Sequence, residues 1–234
     1  MERALYRPDK KRCRRLRSAT EVQTFAFRRP DLVIGRARKL QFGIVFKHPC
    51  GFHGSEHVKN IVYFDLETQK SADEVGGWGN ISKMSLSVGV TFSTGRGDYK
   101  IYGEKQVDDL IKDLQRADLV VGFNVLRFDY EVLHGYTSFD LTQLPTLDMM
   151  VELQNTLNHR LSLDSIATAT FGVEKTAEGL QAIRWFKEGR LAEIAEYCCY
   201  DVKITKLVHE HGQHHQQLHY HNRFGKKMTV PVKW

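Results

Sequence analysis

The chain has 234 residues, 41% hydrophobic and 26% charged, a balance that suits a globular fold of one large or two small domains. It holds no run of 18 apolar residues, which argues against a membrane span, and no apolar segment behind its basic N-terminal residues, which argues against a secretory leader. The net charge of +6 is uneven: residues 1–59 hold 15 Lys/Arg against 5 Asp/Glu, and residues 60–234 hold 19 against 23.

Residues 1–58 carry the basic block Lys10-Lys11-Arg12-Cys13-Arg14-Arg15-Leu16-Arg17 and one short apolar run, Ile44-Val45-Phe46, readable as a strand. They are expected to form a basic N-terminal arm, either a disordered, solvated tail or a segment bound to phosphate backbones. Two further readings are an upstream start artefact, with Val58 as an alternative start, and an Arg-rich transit peptide. The four cysteines include an adjacent pair, Cys198-Cys199, and no C-x-x-C. That spacing fits neither a disulfide scaffold nor a zinc site and suggests a reducing, cytoplasmic setting.

The folded domain is expected over 59–234. Ile61-Val62-Tyr63-Phe64 is a buried strand by its β-branched and aromatic run, and it ends in Asp65-Leu66-Glu67-Thr68. Residues i and i+2 of a strand share a face, so Asp65 and Glu67 project together. Paired carboxylates repel unless a proton or a hard cation such as Mg²⁺ or Mn²⁺ lies between them. After a polar loop over 69–80, Met84–Phe92 alternates as a half-buried strand, Gly95-Arg96-Gly97-Asp98 turns, and Tyr99–Tyr102 adds a third strand of an antiparallel meander. A helix face follows over 105–116, then a buried strand of parallel type over 118–123. Helices are expected over 127–135, 148–157, 163–171, 179–188, 190–198 and 199–222, and an edge strand over 228–232. Strands first and helices later predict an α/β mixed sheet, the meander plus parallel strands, flanked by helices.

Two later stretches carry chemistry. Gly122-Phe123-Asn124-Val125-Leu126-Arg127-Phe128-Asp129 puts Asp129 at a helix start just past a buried strand, where open α/β sheets place their sites. Asn124 is positioned there to fix the loop or to bond a substrate. In Tyr197-Cys198-Cys199-Tyr200-Asp201 the i,i+4 spacing puts Tyr197, rather than Tyr200, on the face of Asp201, provided the helix runs unbroken.

In this order, Asp-x-Glu, Asn-x-x-x-Phe-Asp and Tyr-x-x-x-Asp resemble the three Exo motifs of the DEDD superfamily, ribonuclease H-like 3′→5′ exonucleases that include proofreading domains and ribonuclease D. Position 196 is Glu196 where the histidine branch would carry its histidine, so the resemblance is to the tyrosine branch, DEDDy. It spans about residues 60–215 and is nearest to uncharacterised bacterial RNase H-like exonuclease domains, some attached to helicases. Thr146-Leu147-Asp148-Met149 and Leu161–Ala167 echo the family and read as helix entries capped by Asp148 and Ser162.

The resemblance implies that Asp65, Glu67, Asp129 and Asp201 hold two divalent ions, Mg²⁺ or Mn²⁺, for a two-metal displacement, and that Tyr197 orients the attacking water. Glu67 would also meet the terminal 3′-hydroxyl, and Leu66 and Trp78 would pack on the terminal base. The implied partner is DNA or RNA with a free 3′ end, single-stranded, with a helicase as a further partner and no membrane. The chain has no P-loop and is not itself a helicase. The alternatives are a non-catalytic nucleic-acid-binding module on the same fold and an endonuclease. His209, His211, His214, His215, His219 and His221 crowd one late segment. They read as a polar helix surface or, through His211, His215 and His219 at i, i+4, i+8, as zinc or nickel ligands.

Overall fold

In the computed structural model the described residues are 59–173 and 179–234. The expected basic arm and its strand at Ile44-Val45-Phe46 lie outside them.

Alternation in β1 (Ile61–Thr68) decides the layering. Val62, Phe64 and Leu66 point to one core, Tyr63 to the other. β1 pairs antiparallel with β2 (Leu86–Ser93), which pairs antiparallel with the edge strand β3 (Asp98–Gly103). After α1 (Val107–Gln115), β4 (Leu119–Gly122) joins the other side of β1 in parallel. α2 (Asp129–Leu133) follows, and β5 (Thr146–Asp148) adds a second parallel pair beyond β4. The sheet order is β3-β2-β1-β4-β5, a mixed five-stranded sheet. β1 is its middle strand, so it can carry side chains under both helical layers.

One layer packs α1 and α2 on the sheet through Leu110, Leu114, Tyr130 and Leu133. The other packs α3 (Met149–Leu157), α4 (Leu163–Phe171), α5 (Gly179–Lys187) and α6 (Leu191–His215). Two of these helices start where side chains take over the unpaired amides of the first turn. Asp148 accepts from the Met150 and Val151 amides of α3, and Ser162 from the Ser165 amide of α4. β6 (Gln217–His221) and β7 (Lys227–Pro231) form a separate antiparallel hairpin.

Several expectations are corrected. The helices expected over 190–198 and 199–222 are one, α6, unbroken across 197–201, and it ends at His215. Gln216 turns left-handed at φ 55° and donates its amide to Gly212 O, which stops the helix. Residues 217–221 are therefore strand rather than helix, burying Leu218 and Tyr220 on one side, and the expected edge strand pairs with them rather than with the main sheet. β5, with three residues, is too short for a periodic signal. The expected histidine face also breaks at the helix end. His211 and His215 stack with ring centroids 4.2 Å apart, but His219 stands on β6 and shares its Nδ1 with Thr229 Oγ1. His209 is not on a polar surface. It is buried with Nδ1 2.9 Å from the Tyr63 hydroxyl.

Candidate active site

The site is assembled at the C-terminal end of β1. Asp65 and Glu67 leave the strand on the face that α6 covers, because the residues between and before them, Phe64 and Leu66, are committed to the opposite core. Just past Glu67 the register with β2 shifts, Glu67 facing Val88 and Thr68 facing Leu86. The extra residue, Ser87, makes a bulge, and bulges bend a strand where its side chains must be aimed.

α6 brings Asp201 over this strand end. One carboxylate oxygen each of Asp65, Glu67 and Asp201 lies within 4.8 Å of the others. Among the described residues this trio is the one group of three or more such side chains close enough to hold a metal ion. Asp129, first residue of α2, is buried and accepts the Leu66 amide at 3.1 Å, which ties it to β1 from the other side. It reaches that place through a tight turn after β4. A Cβ on Gly122 would stand 2.1 Å from Val125 Cγ1, so the turn admits no side chain there.

Burial and crowding together raise every carboxyl of the cluster. Asp65 lies well above the usual carboxylate range, first through burial, then through the charges of Asp129, Asp201 and Glu67. Glu67 is raised by burial and then by Asp201 and Asp129. Burial pushes Asp129 up to about 8 against the opposing pull of backbone hydrogen bonds. Burial pushes Asp201 up to about 7, with a hydrogen bond from Tyr197 pulling the other way. Three carboxylates held this close, with buried Asp129 acting on two of them, need protons or cations, and an all-oxygen donor set is one that hard divalent ions take. The residues present fit such ions.

Tyr197 sits one helical turn before Asp201 and donates its hydroxyl to that carboxylate. Burial and then the charges of Asp201, Glu67 and Asp65 hold its phenol protonated, above its ordinary range. Its ring meets the edge of Trp185 on α5, with centroids 6.3 Å apart.

Two contacts escaped the sequence reading. Cys198, buried on α6, places Sγ 3.4 Å from both the backbone oxygen and Oδ2 of Asp65. Asp148 does more than cap α3: it also accepts the amides of Asn124 at 2.8 Å and Leu126 at 3.0 Å, fixing the loop that leads to Asp129. No spacing rule signals a thiol whose partner is 133 residues away.

The residues expected to meet a base are divided. Leu66 is 3% exposed and packed in the core on the far face, and its amide is bonded to Asp129. Trp78 is 68% exposed, with its ring 6.4 Å from that of Phe128. Asn124, at φ 71°, holds Arg160 by a 2.7 Å bond from Nη2 to Oδ1. Trp78, Asn124 and Phe128 line one cleft of about 510 Å³.

Comparison with the curated proteins gives no match. Among solved structures, the family B DNA polymerase from the hyperthermophilic archaeon Pyrobaculum calidifontis resembles the chain with a TM-score of 0.50 at 14% identity, which speaks to the fold alone. The likeness covers 67% of this chain and 25% of the polymerase chain, so it concerns about a quarter of that molecule. The model of the RNase H superfamily matches residues 62–213, a span that contains all four clustered carboxylates and Tyr197, and the chain belongs to that superfamily.

Proposed function

We propose that the protein is a metal-dependent 3′→5′ exonuclease of the DEDDy type, hydrolysing phosphodiester bonds at the 3′ end of DNA or RNA. The observation that carries this reading is the meeting of Asp65, Glu67 and Asp201 within 4.8 Å on the end of β1, with Tyr197 bonded to Asp201 from the same helix. Asp65, Glu67, Asp129 and Asp201 would hold two Mg²⁺ or Mn²⁺ ions, which supply positive charge to the reacting phosphate and acidify water.

The chain's own groups have separable tasks. The Leu66 amide holds one oxygen of Asp129 against β1. Cys198 holds Asp65 by Oδ2. Tyr197, kept protonated, orients a water through its hydroxyl rather than taking a proton from it. Glu67 would also meet the terminal 3′-hydroxyl, as the family resemblance implies. The partner is single-stranded nucleic acid with a free 3′ end; a helicase partner rests on the family resemblance. Among the described residues no helix is long and apolar enough to cross a membrane. A reducing, cytoplasmic setting rests on the cysteine spacing of the sequence alone.

The test is digestion of matched 5′-labelled single-stranded DNA and RNA in Mg²⁺, Mn²⁺ or EDTA, with Asp65→Ala alongside. A ladder shortening from the 3′ end, lost in EDTA and lost by at least about 10³-fold in Asp65→Ala, is expected. Retained binding without shortening on either polymer sinks the reading in favour of a binding module. Cleavage of a circular single strand points to an endonuclease instead.

A further inference from the structure

In the main sheet, ordered β3-β2-β1-β4-β5, no described strand lies beyond β3. The main-chain groups of successive strand residues turn to alternate sides. Thr94 donates its amide to Ile61 O, so Ser93, Thr91 and Gly89 of β2 face β3. Their partners Asp98, Lys100 and Tyr102 face back. Tyr99, Ile101 and Gly103 therefore turn their N–H and C=O groups outward. Gln106 Oε1 accepts the Gly103 amide at 3.1 Å, which closes that end. Among the described residues nothing bonds the outward main-chain groups of Tyr99 and Ile101.

The bare stretch is also apolar. Tyr99 and Ile101 are 39% and 50% exposed, side by side on the face of the sheet that α6 covers. Tyr99 meets the ring of Phe92 edge-on with centroids 4.9 Å apart, and Lys206 of α6 stands 5.4 Å over Phe92. Soluble proteins blunt such an edge with lone charges, lysine above all. Here the opposite face carries both signs: Asp98 and Lys100, both exposed, flank Tyr99 in the strand. Arg96 holds one oxygen of Asp98, Oδ1, at 3.1 Å. About a two-fold axis through Tyr99, Asp98 of one copy stands opposite Lys100 of the other, and the reverse. These are non-hydrogen-bonded positions, where facing side chains come closest. Tyr99 then exchanges both main-chain bonds with its own counterpart, and Ile101 faces Gly97, which has no side chain to obstruct it. An axis through Lys100 instead sets lysine against lysine, and like charges directly opposite repel.

We propose that β3 pairs antiparallel with β3 of a second copy of this chain, about an axis through Tyr99, so that two five-stranded sheets join into one. The same edge serves both copies, so the contact closes as a dimer and does not grow into a filament. Dimerisation here is independent of the nuclease reading. β1 and its carboxylates lie two strands in from the joined edge, so each copy keeps a complete site.

The test is sedimentation equilibrium of the full chain over a wide concentration range, with Lys100→Asp and Asp98→Lys each alone and then mixed. Wild type is expected to move from 27.0 kDa toward twice that mass as concentration rises. Each variant alone sets like charges across the axis and weakens self-association by at least about tenfold. Mixed in equal amounts, the two variants associate as tightly as wild type, because acid then meets base at both positions. A folding defect in either variant would not be cured by mixing. Amide hydrogen exchange at Tyr99 and Ile101 identifies what covers the edge. Exchange that slows as wild type is concentrated supports the second copy. Slow exchange in a chain that stays monomeric gives the edge to another segment of the same chain and overturns the inference. A mixture no tighter than its parts, or an Asp98→Lys variant that dimerises like wild type, overturns it as well.

Discussion

Cys198 is placed where a small change should be legible. Its thiol reaches Asp65 Oδ2 and the Asp65 backbone oxygen, so it sets the rotation of a carboxylate that faces Glu67 and Asp201. Groups that orient metal-binding carboxylates typically matter by about 10- to 100-fold. Cys198→Ala is therefore expected to weaken Mn²⁺ binding, read by calorimetry, by about that factor, with Cys198→Ser restoring most of it. An unchanged Mn²⁺ isotherm in Cys198→Ala leaves the thiol a packing role only. Tyr197 acts differently: its hydroxyl bonds Asp201 but it need not touch an ion. Tyr197→Phe should lower kcat on a labelled strand by about 10²-fold and leave the Mn²⁺ isotherm in place. A loss of Mn²⁺ binding in that variant would move Tyr197 from orienting water to building the ion site.

Among the elements, α6 ties the site together. It supplies Tyr197, Cys198 and Asp201, and two turns further on it locks to β1 through His209 and Tyr63, 2.9 Å apart. The other His209 ring nitrogen, Nε2, is buried with no partner among the described residues, so the Tyr63 hydroxyl is the one bond to that ring, alongside the Cys198–Asp65 contacts nearer the site. Tyr63→Phe leaves both ring nitrogens unpaired and is expected to cost about 1–3 kcal/mol by chemical denaturation. A variant as stable as wild type would show that packing alone sets the register. How much of this was readable followed the physics of each element. β1, the meander and α4 announce themselves through period-two alternation or a capping serine. The continuity of α6 does not, because Cys198-Cys199-Tyr200-Asp201 interrupts its apolar stripe with the residues the site needs. β6 carries histidines on a strand with two buried apolar residues, a pattern indistinguishable from a polar helix end. Asp65 with Glu67, and Tyr197 with Asp201, were legible because strand and helix periods fix which residues share a face; Asp129 was read from its place just past a buried strand, and its joining to the others from the family resemblance. The Cys198 contact and the Asn124–Arg160 bond depend on proximity that only folding creates.

At the scale of the molecule, the acidic cluster makes stability depend on pH in an unusual direction. Asp129 and Asp201 titrate near 8 and 7 in the folded chain, against about 4 when unfolded. Between about pH 4 and 8 the folded state then binds more protons than the unfolded one, so metal-free stability falls as pH rises through that window. His209, pushed down to about 4 by burial, acts oppositely and adds stability as pH rises from about 4 to 6.5. Above about pH 6.5 the carboxylates act alone, and the melting temperature in EDTA is expected to drop steadily toward pH 8. Asp129→Asn should flatten that slope and raise the pH 8 melting temperature by about 2–4 °C for each kcal/mol of repulsion relieved. A flat profile for wild type in EDTA would mean that the cluster is not crowded in solution.

The crowding of Asp65, Glu67 and Asp201 also bears on how long a molecule lasts. A cation that binds the folded cluster and not the unfolded chain shifts the opening equilibrium by mass action. Loaded molecules open rarely, and unloaded ones open more often and meet proteases sooner. Clearance would then select for metal occupancy, so the surviving population is enriched in molecules able to turn over.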